Sequence, residues 1–257
     1  MKILRALFCG FLVSSFLAAQ DQPGGYWQKI AWTTPDGVRM VGLYRPASRP
    51  GACTWILLHG LGSSKEEWEA FGKRLAAQGN GVFLYDARGH NESDHLVTGE
   101  MISYQAWQTA GPGTPWSAMP SDLSFAVGML KKKYGLSGNK FAVGGASLGA
   151  NVALVYASDH PDARALVLLS PGMEYAGIQS GPAFQAYQGR PVFVAASPND
   201  LYAYSSVRQL TTLAPGPHCT IVDGKNGHGV NMLDEEFTKT LLDWMRKQDG
   251  NRNRRPT

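Results

Sequence analysis

Cysteine is scarce in this chain, with three in 257 residues, which excludes a small scaffold held together by disulfides. Charge is scarce as well. Asp, Glu, Lys and Arg make up 17% of the residues, against roughly 25% in an average soluble domain. The 44% apolar share can fill a sizeable core, so a chain disordered throughout is excluded. Long apolar runs are missing too, since the stretch from Ala6 to Ala19 falls short of the roughly 20 residues that cross a bilayer core. The net charge of +4 has no basic face behind it. Lys2 and Arg5 precede the apolar stretch, and Arg252, Arg254 and Arg255 crowd the C-terminus. A nucleic-acid protein carries its cations through the folded part, so nucleic acid is set aside as a partner. H-E-x-x-H, paired C-x-x-C, Walker and dinucleotide glycine patterns do not occur, and no metal or cofactor is implied.

What is present begins with a leader. Lys2 and Arg5, the apolar stretch and the small pair Ala18 and Ala19 before Gln20 and Asp21 read as a signal peptide over 1–19. The mature chain is then expected to be secreted or periplasmic, with no membrane span. Residues 20–247 read as a single domain. The polar, basic residues 248–257 read as a disordered tail.

Along the domain, Val/Ile/Leu/aromatic runs alternate with helical patterns. Tyr26 to Thr34 and Val38 to Arg45 flank a Pro35-Asp36-Gly37 turn and predict an antiparallel opening. Strands are then expected at Thr54 to His59, Val82 to Asp86, Lys140 to Gly144, Ala165 to Ser170, Val192 to Ser197 and Cys219 to Val222. Helices are expected near Lys65 to Gln78, Ser121 to Tyr134, Ser147 to Ser158, Ser205 to Leu213 and Asp234 to Lys247. Runs as continuously apolar as Trp55 to Leu58 and Ala165 to Leu169 indicate strands buried on both faces, as in a mostly parallel sheet covered by helices.

Gly145-Ala146-Ser147-Leu148-Gly149 matches G-x-S-x-G. Chance alone supplies about 0.25 such pentapeptides in a chain of this composition, so the context carries the argument. The match lies between an apolar strand and a helical pattern, where a serine on a sharp turn needs small neighbours and projects its hydroxyl out of the sheet. The free amides at a helix N-terminus then favour a developing oxyanion.

With this elbow in place the chain resembles the α/β-hydrolase fold family from about Tyr26 to Met245. His59-Gly60-Leu61-Gly62 resembles the family's HG motif after the third strand, and Asp86 to Ser93 (DARGHNES) resembles its D-x-R-G-x-G-x-S segment, with Asn91 at a position usually held by Gly. The resemblance implies a sheet of about eight strands with helices on both faces. It also implies an oxyanion hole built from the backbone amides of Leu61 and Leu148. Asp86, Arg88 and His90 read as loop braces. In the family's sheet order Cys53 and Cys219 lie four strands apart, roughly 19 Å, too far for a disulfide.

A serine hydroxyl needs a base to accept its proton. His228 stands in a loop after the last strand, where the resemblance puts that base, and Asp200 follows the strand at Val192, where it puts the acid. Glu174, after the strand ending at Ser170, is a rival acid. Asn199 could orient a neutral ring but not offset its charge. The implied function is a secreted serine hydrolase cleaving small carboxylic esters through an acyl-enzyme on Ser147. The same groups would serve a thioesterase or peptidase, and a catalytically silent binding protein on this fold is the alternative from another class.

Only Pro171 to Pro191 separates the sixth strand of the family pattern from the seventh, too little for a cap domain. The loop from Leu96 to Pro120 is long for a strand-to-helix connection. Met101, Tyr104, Trp107 and Trp116 are expected to line an acyl or alcohol pocket there, unless Trp107 and Trp116 pin the loop to the sheet edge.

Overall fold

Side chains alternate between the faces of a strand, so a strand covered by helices on both faces must be apolar at every position. Thr54–Leu58 meets that demand, with Ile56 and Leu58 entering one core and Trp55 and Leu57 the other. The structure is a computed structural model and describes residues 27–249 apart from 139, 188 and 214–217. In chain order the elements are β1 (Gln28–Thr33), β2 (Val38–Arg45), β3 (Thr54–Leu58), α1 (Glu69–Ala77), β4 (Gly81–Tyr85), β5 (His95–Leu96) and α2 (Met119–Tyr134). They continue as β6 (Phe141–Ala146), α3 (Leu148–Asp159), β7 (Ala163–Leu169), β8 (Glu174–Tyr175), β9 (Ile178–Gln179) and α4 (Gly181–Ala186). The chain ends in β10 (Val192–Ala196), α5 (Leu201–Leu213), β11 (Cys219–Asp223) and α6 (Glu235–Asp249).

The main sheet runs β1-β2-β4-β3-β6-β7-β10-β11, with the short β5 added against β2. The expected antiparallel opening is there, as β1 pairs β2 and β2 pairs β4 antiparallel. From β4 to β11 every pairing is parallel. Phe71, Leu75, Phe237, Leu241 and Met245 bring α1 and α6 onto one face, while Leu123, Leu154 and Leu210 bring α2, α3 and α5 onto the other. Parallel strands point their C-terminal ends the same way, so the loops after β3, β6, β10 and β11 gather along one edge, where open α/β sheets bind ligands.

The structure differs from the expected elements at three places. The link between β7 and β10 carries the β8–β9 hairpin and the short α4, whose two-residue strands are too brief to show a period. α5 begins at Leu201, four residues earlier than expected. α6 runs to Asp249, two residues into the expected tail, because Gln248 is buried and the Asp249 carboxylate accepts from the Cys53 amide at 3.0 Å and Asn80 Nδ2 at 3.2 Å and pairs with Arg49. The rest of that tail and the expected signal peptide lie outside the described residues. Cys53, just before β3, and Cys219, on β11, are free, with β6, β7 and β10 between their strands. No helix among the described residues is long and apolar enough to cross a membrane.

Candidate active site

Ser147 alone joins β6 to α3, and its backbone sits at φ 53°, ψ −123°, a conformation that costs a non-glycine residue on the order of 1–3 kcal/mol. The turn leaves no room for side chains beside it. A Cβ on Gly145 would fall on the Gly149 backbone, and one on Gly149 would come within 2.5 Å of the Leu58 and His59 carbonyl oxygens. The Ser147 amide donates to Leu169 O at 2.8 Å, and its carbonyl accepts from Ala150 at 2.9 Å. The strained residue is thus tied to the neighbouring strand on one side and its own helix on the other.

The loops after β10 and β11 meet because those strands are paired neighbours. Asp200 Oδ2 stands 2.6 Å from His228 Nδ1. Asn199 and Asn226 join the two loops through their side-chain amides, and Ser170 Oγ accepts the Gly229 amide at 2.9 Å. Glu174 takes no part in this cluster. Its backbone amide and carbonyl both engage the Tyr202 hydroxyl, at 3.1 and 2.8 Å, and its side chain is exposed. Ser147 and His228 face a common cleft of about 310 Å³ with Gly60, Leu61 and Glu67.

The Gly60–Gly62 turn is fixed by three side chains. Glu67 Oε1 accepts the Gly60 amide at 3.0 Å, His59 Nδ1 meets Gly60 O at 2.8 Å, and the Gly62 amide donates to His90 Nε2 at 3.3 Å. Among the described residues, no protein acceptor takes the amide of Leu61 or of Leu148. These are the two amides expected to form the oxyanion hole. Burial raises the Glu67 carboxyl above its ordinary value, against the hydrogen bonds from Ser63 and Gly60.

His59 Nε2 also accepts the Ala87 amide at 2.9 Å, so the bonding pattern requires the neutral Nδ1–H ring. Burial lowers its pKa to about 4 from an ordinary 6.5. On unfolding the ring regains its ordinary affinity for a proton, so this group contributes stability above pH 6.5 that is lost as pH falls toward 4. The full loss is about 3 kcal/mol. Melting temperature is expected to drop over that range in the wild type and to drop less in His59→Gln, whose amide can accept from Ala87 without titrating. Equal slopes for the two proteins would show that His59 is not the group responsible.

The family-like segment after β4 braces the site. Asp86 accepts the Lys65 amide at 2.9 Å, Lys65 Nζ at 2.7 Å and Asn91 Nδ2 at 3.1 Å. Asn91 sits at φ 44°, a left-handed conformation that asparagine tolerates. Arg88 binds Asp122 at 2.5 and 2.6 Å and Asp36 at 2.8 Å.

Tyr104, Trp107 and Trp116, expected to contact substrate, do not line the cleft with Ser147 and His228. Tyr104 stacks on His90 at 4.1 Å, Trp107 and Trp116 meet edge to face at 4.8 Å, and Trp116 is buried in the main core. Trp116 is buried and Tyr104 and Trp107 are half-buried against His90 and the core, contacts that anchor the loop and match the packing alternative for the two tryptophans. Met101, of the same expected set, is exposed and bridges His95.

Two residues at the site were missed in the sequence. Glu67 follows the oxyanion loop on a 3₁₀ turn, where its helical pattern gave no hint of a tether back to Gly60. Tyr175, on β8, points its hydroxyl at Ser170 O, 3.5 Å away, and has its ring edge-on to His228 at 6.5 Å. The available signal was Ala176-Gly177 beside a tyrosine, a turn pair in a link that must cross the strand ends.

No curated protein sequence matches the chain. Among solved structures it is similar to the Pyrococcus furiosus esterase Pf2001, at 18% identity and a TM-score of 0.67 over 88% of this chain and 94% of that one. It is also similar to 2,6-dihydroxy-pseudo-oxynicotine hydrolase, at 18% identity and a TM-score of 0.70 over 87% and 68% of the two chains. A membrane phospholipase A described as a bacterial virulence factor gives 15% identity and a TM-score of 0.64 over 87% of each chain. At such identities these likenesses establish the fold. Residues 52–199, more than half of the chain, match the family model described as serine aminopeptidase, S33. The protein therefore belongs to that family of α/β hydrolases.

Proposed function

We propose that the protein hydrolyses small carboxylic esters through an acyl-enzyme on Ser147. His228 accepts the serine proton and returns it to the leaving alcohol, and Asp200 holds the imidazole in its Nδ1–H form and balances its charge. The amides of Leu61 and Leu148 receive the oxyanion. The observation that carries this reading is the 2.6 Å contact of Asp200 with His228, made in the cleft where the strained Ser147 sits. Among the described residues no hydrogen bond joins Ser147 to His228. Catalytic contacts of this kind commonly tighten when substrate binds.

An esterase and a phospholipase share this fold, in keeping with an ester substrate, while the aminopeptidase description of the family model keeps an amide as the second reading. Export to the periplasm or beyond belongs to the same proposal and rests on Lys2, Arg5 and the apolar stretch to Ala19. A fluorophosphonate probe tests the chemistry directly. Peptide mass spectrometry is expected to find the phosphonyl adduct on Ser147, and an intact Ser147 after prolonged exposure would favour a silent binding protein on this fold.

A further inference from the structure

The fold separates charges that are mixed along the sequence. Arg45 closes β2 opposite Val82, near the start of β4, and so lies at the edge where the parallel strands begin, opposite the active site. Lys131, Lys132 and Lys133 occupy the last turn of α2 at the same edge, and Lys140 comes just before β6. Lys247 is near the end of α6, whose Asp249 accepts the Cys53 amide at the foot of β3. The lysines are exposed and Arg45 is half-buried. Most acids of this edge already have partners: Asp162 pairs with Lys131 at 2.5 Å, Asp243 with Lys239 and Arg246, and Asp249 with Arg49. Among the described residues, no carboxylate pairs with Arg45, Lys132, Lys133, Lys140 or Lys247, and exposed Asp159 is left to oppose them.

The exposed acids Glu66, Glu92, Glu100, Asp234 and Glu235 gather at the other edge, around the loops that carry the site, while Lys65 and Arg88 there are buried in ion pairs. On the basic edge, the β2–β3 link and the α2–β6 link line a groove of about 390 Å³ whose charged residues are Arg49 and Lys140. Tyr134, on that groove, is 38% exposed, and Leu213, which ends α5 at the same edge, is 40% exposed. The described chain also begins and ends here, since Gln28 opens β1 opposite Tyr44 and α6 closes at Asp249. The apolar stretch from Ala6 to Ala19 and the arginines Arg252, Arg254 and Arg255 are therefore tethered to the basic edge.

We propose that this edge docks on an anionic phospholipid bilayer, with the cleft of Ser147 turned away toward water. Lysines within a Debye length of anionic headgroups are attracted to them, and Tyr134 and Leu213 are placed to enter at the headgroup level, where aromatic and apolar side chains are accommodated. The unpaired cations sit on both helical layers, Lys132 and Lys133 on α2 and Lys247 on α6, and a plane can meet both layers at once. All but Arg45 are lysines, which act as hydrated point charges and lack the flat fork with which arginine grips a nucleic-acid backbone. The apolar stretch tethered to the same edge is a bilayer-directed segment as well. In this orientation the active site receives esters from solution and not from the bilayer that holds the protein. The docking itself does not depend on the acyl-enzyme reading.

Co-sedimentation with lipid vesicles makes the test, using phosphatidylcholine alone and phosphatidylcholine mixed with phosphatidylglycerol. The protein is expected to sediment with the mixed vesicles at about 0.1 M salt, to be released at about 0.5 M, and to stay in solution with phosphatidylcholine alone. The triple variant Lys132→Gln, Lys133→Gln and Lys140→Gln is expected to bind the mixed vesicles about 100-fold more weakly, because each lysine at an anionic surface contributes about fivefold. Its melting temperature and its turnover of 4-nitrophenyl acetate are expected to equal those of wild type, since none of the three residues touches the core or the site. Wild-type protein that ignores the anionic vesicles overturns the proposal. So does a triple variant that binds them as tightly as wild type, a result that would move the contact to the terminal arginines. Tighter binding to double-stranded DNA than to the mixed vesicles at the same salt would also overturn it and assign the edge to nucleic acid.

Discussion

Ser147→Ala is expected to lower kcat for ester hydrolysis by about 10⁶ while leaving the melting temperature close to that of wild type. Alanine keeps the Cβ, so the backbone strain at φ 53° is the same in both proteins. The amide bond to Leu169 O and the carbonyl bonds to α3 do not involve the hydroxyl. What disappears is the atom that bonds to the acyl carbon, and with it the covalent intermediate. A residual rate about 10³ to 10⁴ above water is expected, because the amides of Leu61 and Leu148 can still bind the oxyanion of a water-attacked ester. Initial rates on a 4-nitrophenyl ester beside a thermal melt make the measurement, and a variant as fast as wild type would end the proposed mechanism.

Asp200→Asn is expected to lower kcat by about 10⁴, and Glu174→Gln to leave it nearly unchanged. Asp200 accepts at the 2.6 Å contact with His228 Nδ1 and is mostly shielded, with 15% of its side chain exposed. A carboxylate there selects the tautomer whose Nε2 is free to take the serine proton, and it balances the imidazolium that follows. An amide at the same place can turn its NH₂ toward Nδ1, which leaves the proton on Nε2 and the base blocked. Glu174 engages Tyr202 through its backbone, so neutralising its carboxylate removes nothing from the His228 cluster. The reverse ranking of the two variants would move the acid to Glu174.

Much of the site was legible because its parts are local. Gly145, Ser147 and Gly149 lie within five residues, and the steric demands of a strand-to-helix turn act over that distance. Asn91 at positive φ and the braces at Asp86 and Arg88 likewise follow from a short segment. Tyr175 was not legible: its strand is two residues long, and its place beside His228 is set by Asn151 and Ser206, residues far from it in the chain. The aromatics of the long loop were ambiguous for a related reason. Trp107 and Trp116 supply the same surface whether they face a ligand or a protein core, and only their neighbours tell which.

The sequence by itself determined the parallel α/β architecture, since runs apolar at every position are stable only between two helical layers, and it determined the serine at the elbow. Tertiary structure decided which carboxylate faces His228, because that depends on β10 and β11 being paired so that their C-terminal loops meet. It decided that α6 continues to Asp249, whose partners Arg49, Cys53 and Asn80 come from the first half of the chain. It also decided that a hairpin tyrosine stands edge-on to His228. Local pattern reflects which faces of an element must be buried, whereas each of these contacts joins residues distant in sequence, and its existence depends on how the finished layers bring loops together.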